Sequence, residues 1–173
     1  MKLVERDLEF EFAGALNAFK FDDGRAQTTS SLQAVDFIVE YPHCYRFIEV
    51  KDPDEAGAAN VKAFADKLKS GRLIRSLAGK YRDSYFFRAL AGKNTKKIEY
   101  VVLLAMTALD DAVLLTKQAE LHRSIPLRHQ RWAQDAAAVC LVLNISQWKR
   151  LYGEESVRRL SRIESEMASP EEG

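Results

Sequence analysis

The stretch 34–52, AVDFIVEYPHCYRFIEVKD, constrains the fold more than any other part of the chain. Val35, Phe37, Val39 and Tyr41 alternate with Asp36, Ile38 and Glu40; beyond Pro42 and His43 a second run, Tyr45 to Val50, is rich in aromatic and β-branched residues. This predicts a β-hairpin. With its turn centred between Pro42 and His43, antiparallel partners have numbers summing to eighty-five, so Asp36 stands opposite Glu49. Directly opposed residues have Cβ atoms roughly 4.5–5.5 Å apart, close enough for two carboxylates to share one divalent cation. Lys51, two residues past Glu49, lies on the same face.

A wet face with Lys51 paired to a carboxylate would account for these charges by composition alone. Against that account, Ile38 and Phe47 share the charged face, and Phe37, Val39, Ile48 and Val50 line the other. The charges are therefore expected to be part-buried, where like carboxylates repel unless a cation or a lysine lies between them.

Asp36, a twelve-residue gap that fits a hairpin, and then Glu49-Val50-Lys51 resembles the signature of the PD-(D/E)xK nuclease superfamily, which includes restriction endonucleases and Holliday-junction resolvases. Val35-Asp36 stands in place of the Pro-Asp of that name. The resemblance implies a metal-dependent nuclease, a DNA endonuclease of restriction, repair or phage-defence type. In the resembled family the first helix usually contributes one more acidic residue. Residues 4–19 fit a helical wheel with Val4, Leu8, Phe12, Ala15 and Phe19 on one stripe, and Glu5 falls inside it. Leu8 to Phe12 also alternates like a strand; the helix is then short, and Glu11 at its start is the alternative. The choice stays open, and a solvated charge is the plainer account of either glutamate.

The chemistry follows from charge. A phosphodiester is an anion, so its hydrolysis needs a cation to neutralise the phosphoryl oxygens and to make hydroxide near neutral pH. Asp36 and Glu49 offer hard oxygen ligands for Mg²⁺ or Mn²⁺, with the Val50 backbone carbonyl and waters completing the shell. Lys51 would orient or deprotonate the attacking water. Other catalytic classes find no support: there is no G-x-S-x-G, no glycine-rich phosphate loop and no HExxH, and His43, His122 and His129 are scattered.

The surrounding chain suits that centre. At 173 residues it is expected to be one domain, 1–168, with a polar tail, 169–173. The net charge of +1 is uninformative, but its distribution is lopsided. Residues 1–61 hold twelve Asp or Glu against six Lys or Arg, whereas residues 62–97 hold eleven Lys or Arg against Asp66 and Asp83. A basic arm therefore follows the acidic site. Within it a helical region is expected from about Asn60 to Leu90, broken near Ser70-Gly71. Lys80, Ser84 and Arg88 share a stripe with Leu73 and Leu77, which makes Lys80 and Arg88 candidates for holding a phosphate, or else cations that snorkel to the helix edge.

Phe19-Lys20-Phe21 is expected to begin the sheet and to end in the turn residues Asp22-Asp23-Gly24, followed by a polar stretch, 25–33. The apolar runs 98–106 and 137–143 predict strands buried on both faces, with a helix over 108–121 between them and a loop at 125–132. In that loop Arg128, His129, Arg131 and Trp132 could contact nucleic acid by phosphate bonds and stacking, or Trp132 could anchor the loop. Ser146 is the expected N-cap of a last helix running to about Ser165, with Trp148, Leu151 and Tyr152 inward.

The fold class expected is α/β, a mixed sheet flanked by helices on both faces, restriction-endonuclease-like. Isolated Cys44 and Cys140 fit a reducing compartment, no apolar run is long enough to span a membrane, and a cytoplasmic setting is expected. Nucleic acid, DNA rather than RNA, is the expected partner; a homodimer or a partner subunit is left open. A second reading shares the fold: an inactive nuclease-like subunit that binds nucleic acid or serves as a scaffold.

Overall fold

The hairpin forms as its alternation requires. In the computed structural model of the chain, which describes residues 1–23, 32–55, 61–107 and 109–161, strand β4 (Phe37–Glu40) pairs antiparallel with β5 (Cys44–Lys51). The register is Phe37 with Ile48, Ile38 with Phe47, Val39 with Arg46 and Glu40 with Tyr45, and the Tyr41 amide closes the turn on the Cys44 carbonyl, 2.8 Å away. One further step of that register brings Asp36 opposite Glu49.

Strand β3 (Asn17–Lys20) pairs antiparallel with β4, while β6 (Lys97–Leu104) and β7 (Val139–Leu143) add in parallel beyond β5. The result is a five-stranded mixed sheet in the order β3-β4-β5-β6-β7. Strands β5 and β6 lie at its centre, and β6 is buried from Tyr100 to Leu104, which is why it reads as an unbroken apolar run rather than an alternating one.

The connections between parallel strands are helical. Helix α1 (Val61–Lys69) and α2 (Arg72–Leu90) link β5 to β6, separated at Gly71, whose φ of 70° is in the region glycine favours. Helix α3 (Asp111–Ser124) links β6 to β7, with Asp110 accepting a hydrogen bond from the Ala112 amide as its N-cap. These helices cover one face: Leu73, Ile74, Leu77 and Tyr81 of α2 and Leu114 and Leu121 of α3 pack on Ile38, Phe47, Tyr100 and Val102.

The opposite face is covered differently from the expectation. Residues 4–19 form no helix. Strands β1 (Lys2–Glu5) and β2 (Leu8–Glu11) make a tight hairpin through Arg6, at φ 52°, and Asp7. The two-residue period wins over the helical one because Leu8, Phe10 and Phe12 all reach a core, while Glu9 and Glu11 point away from it. The last expected helix is also short. Its N-cap is Asn144, in a reciprocal capping box with Gln147, rather than Ser146. Helix α4 (Ile145–Tyr152) stops at Gly153, at φ 104°, and Leu151 is exposed. After a 3₁₀ turn, strand β8 (Val157–Arg159) pairs with β2, giving a small antiparallel sheet in the order β1-β2-β8.

That small sheet and α4, rather than a second helical layer, close the back of the main sheet. Leu8, Phe10, Phe12, Trp148 and Val157 meet Phe37, Val39, Ile48, Val50, Val101 and Leu103. Phe10 stands edge-on to both Phe37 and Trp148 at centroid separations of 5.4 and 5.5 Å, the geometry that ring quadrupoles favour. Among the described residues the architecture is α/β with a mixed sheet and four helices, three of them on one face. Residues 24–31 and 162–173, which include most of the polar stretch before the hairpin and the whole tail, lie outside the described residues.

Candidate active site

Asp36, Glu49, Lys51 and Lys80 converge at the open end of the β4–β5 hairpin, on the helical face of the sheet. Glu49, two residues before the end of β5, is completely buried, and Asp36, just ahead of β4, is 4 % exposed. The two Asp36 oxygens have different partners. Oδ2 accepts from the Val50 amide at 2.6 Å, and Oδ1 lies 3.3 Å from Lys80 Nζ. Because Val50 turns its amide toward Asp36, its carbonyl projects along the same edge of β5, beyond the end of β4.

Lys80 is the residue that ties the cluster together. Its ammonium lies between the two carboxylates, 2.7 Å from Glu49 Oε1 and 3.3 Å from Asp36. Helix α2 holds it there through three neighbouring contacts with the chain entering β4: Ser84 Oγ accepts from the Val35 amide at 3.0 Å, Asp83 accepts from the Gln33 amide at 2.9 Å, and Lys80 itself reaches Asp36. Nearer the start of α2 the Tyr100 hydroxyl donates to the Leu77 carbonyl, fixing the helix to β6. Lys51 approaches Glu49 Oε1 from the exposed end at 2.5 Å.

Glu49 Oε1 therefore serves two ammonium groups, while Glu49 Oε2 is buried with no hydrogen-bond partner among the described residues. An orphaned carboxylate oxygen at zero exposure costs free energy that a folded chain normally avoids. Burial pushes the Glu49 carboxyl up from its ordinary value; Lys51 and Lys80 pull it down and Asp36 pushes it further up, and burial prevails. For Lys80 the order is reversed in outcome: burial works against its charge, but Glu49 and Asp36 hold its pKa above the ordinary lysine value.

A third carboxylate is present, and it is neither of the glutamates expected from the N-terminal segment. Asp22 follows β3, where the Phe21 amide donates to the Asp36 carbonyl at 2.8 Å and so brings the next residue beside the cluster. Burial, then the charges of Asp36 and Glu5, push the Asp22 carboxyl up, with Asp36 beside it adding to the rise. Glu5, on β1 rather than a helix, is paired with Lys20 at 3.0 Å and touches the cluster only through its field on Asp22. Glu11 is half-exposed beside Lys2 at 3.8 Å, outside the Asp36 cluster. Arg88 is also elsewhere: its guanidinium donates to the Lys93 carbonyl at 2.6 Å and stacks over Tyr45, 4.4 Å from the ring centroid, at the far end of α2. Only the register of β3 points to Asp22 in the sequence, and the long polar connection before the hairpin hides that register.

With all groups charged, Asp22, Asp36 and Glu49 against Lys51 and Lys80 leave one negative charge in excess. That excess, the orphaned Glu49 oxygen and the hard-oxygen donor set fit a small divalent cation. Among the described residues, however, no group of three or more His, Cys, Asp or Glu side chains is already arranged around a metal position; the Lys80 ammonium bridges Asp36 and Glu49 instead. No helix among the described residues is long and apolar enough to cross a membrane. Comparison of the chain with protein-family models, with curated proteins and with solved structures returns no match.

Proposed function

We propose that the chain is a metal-dependent nuclease with a restriction-endonuclease-like core, hydrolysing phosphodiester bonds, DNA being the favoured substrate. The observation that carries this reading is the buried Asp36–Glu49 pair with an unpartnered Glu49 oxygen, flanked by two lysines. In this reading Asp36, Glu49 and the Val50 carbonyl would hold Mg²⁺ or Mn²⁺, and Asp22 would add charge behind Asp36. The ion supplies charge neutralisation of the phosphoryl group and a bound water of lowered pKa.

The protein's own residues do the rest. Lys51 is 29 % exposed and can reach a solvent-borne substrate, so it orients the attacking water and stabilises the charge developing on the phosphoryl oxygens. Lys80 sets the spacing of the two carboxylates and offsets part of their charge before a cation arrives. The test is incubation of plasmid DNA with the protein and Mn²⁺, beside the Asp36→Ala and Lys51→Ala variants. Cleavage by the wild type alone supports the reading; equal cleavage by all three rejects it.

Lys80 also favours a second reading. An ammonium already bridging Asp36 and Glu49 neutralises most of the cluster internally, which suits an inactive nuclease-like subunit that binds nucleic acid or acts as a scaffold. A wild type that leaves plasmid intact yet retards DNA in a salt-sensitive manner would select it.

A further inference from the structure

A second concave surface lies on the other flank of α2. Successive residues of a helix are about 100° apart, so Arg82 projects on the order of 200° from Lys80, away from the carboxylate cluster. There Tyr85 and Arg82 face the segment that enters β7, and with Pro126, Arg131, Trp132 and Gln134 they line a cleft of about 670 Å³. That volume is typical of small-ligand sites. Its floor is rigid: Tyr81 is buried and its hydroxyl donates to the Ala136 carbonyl, with the Tyr81 ring 4.7 Å from that of Tyr100.

The walls are aromatic and cationic together. Trp132 is 45 % exposed, with the His129 ring 5.6 Å from its own. Arg82 and Arg131 are both exposed, and neither guanidinium has a hydrogen-bond or carboxylate partner among the described residues, so both can meet an anion in the cleft. A large open ring beside two unpaired planar cations matches a flexible polyanion that carries flat rings. Folded duplex keeps its bases stacked internally and cannot offer them to Trp132, whereas a single strand can.

We infer that the cleft between α2 and the 126–136 segment binds single-stranded nucleic acid, a base stacking on Trp132 and the adjacent phosphates meeting Arg82 and Arg131. This deepens the nuclease reading by naming an unpaired strand as the substrate's second point of attachment, about one helix diameter, roughly 10–12 Å, from the carboxylates.

The test uses the full chain with a chelator present, so that binding is read without cleavage. Trp148 is fully buried, which leaves Trp132 as the fluorophore that a ligand in the cleft would quench. Oligothymidylate and oligouridylate, of equal length, separate DNA from RNA; a blunt duplex, an abasic strand and polyglutamate serve as competitors. Quenching by the base-bearing strands, a loss of affinity of roughly 5- to 150-fold for Trp132→Ala with recovery in Trp132→Phe, and a salt slope reduced by about 0.7 per guanidinium removed in Arg82→Ala and Arg131→Ala, support the inference. Equal binding of the abasic strand, preference for duplex or polyglutamate, or an unchanged affinity in Trp132→Ala overturns it. The two proposals fail separately. Trp132-dependent binding without any cleavage removes the nuclease and leaves the cleft, whereas cleavage indifferent to Trp132 and to unpaired strand removes the cleft alone.

Discussion

Replacing Lys80 by methionine keeps the length of the side chain and deletes the charge between Asp36 and Glu49. At the observed separations of 2.7 and 3.3 Å, Coulomb's law with an effective dielectric constant near 20 gives gross attractions of about 6 and about 5 kcal/mol. Most of that is offset by the cost of burying the three charges, so the net loss expected is that of breaking a buried pair, about 3–5 kcal/mol. For a domain of this size it corresponds to a fall in Tm of roughly 6–20 °C. The loss must depend on pH. Glu49 already has a raised pKa in the folded state, and removing Lys80 raises it further. Between the ordinary carboxylate value and the raised one, the folded state binds more protons than the unfolded state, so stability falls as pH rises through that window. The Lys80→Met deficit measured by thermal or urea unfolding should therefore shrink from about pH 8 to about pH 5. Divalent ions should stabilise the variant more than the wild type, because the seat between the carboxylates is then free; saturation at about 100 times Kd would return about 2.7 kcal/mol. A Lys80→Met protein that melts within about 2 °C of the wild type, with no pH or Mn²⁺ dependence, would show that Lys80 is a passive edge residue and refute the reasoning.

Asp22→Asn removes a carboxylate whose pKa is raised on folding, so the variant should be at least as stable as the wild type at neutral pH while its Kd for Mn²⁺, read by calorimetry, increases. Because Glu49 and Asp22 both hold protons above the ordinary carboxylate range, cation uptake should release protons, more of them as pH falls toward that range; calorimetry in buffers of different ionisation enthalpy measures it. Arg159 holds Asp52 through two bonds of 2.8 Å each, and the Asp52 side chain is 1 % exposed. Arg159→Met should thus cost about 3–5 kcal/mol in urea unfolding, with partial recovery in the Asp52→Leu/Arg159→Met double variant. Trp148→Ala empties the space beside Phe10 behind the sheet and should cost about 3–5 kcal/mol by the same measurement.

The hairpin and its register are readable because both faces carry large apolar residues, so a one-residue slip would expose one set and bury the charges of the other. Lys80 stands out as a cation on an apolar helical stripe, although its role as the bridge between carboxylates needs the position of α2 over β4. The two ends of the chain are less legible. Leu8-Glu9-Phe10-Glu11-Phe12 satisfies both a strand and a helical wheel over so few residues, and the pairing of β2 with β1 and β8, with Leu8, Phe10 and Phe12 buried, decides for the strand. No local pattern announces β8 itself, because Val157-Arg158-Arg159 reads as a continuation of the helical charge pattern before it, and Gly153 alone marks the break. Asp22 is hidden for a related reason: its role depends on pairing across a connection whose length does not determine register.

The pairing of β2 with β8 joins residues such as Glu9 and Arg158, which are 149 positions apart in sequence. A ribosome delivers Phe10 long before Val157, so during synthesis the nonpolar underside of the central strands stays uncovered until α4 and β8 have emerged. Such non-local closure is slow and leaves nascent molecules prone to sticking, and it makes completion of the back layer the natural last step of maturation.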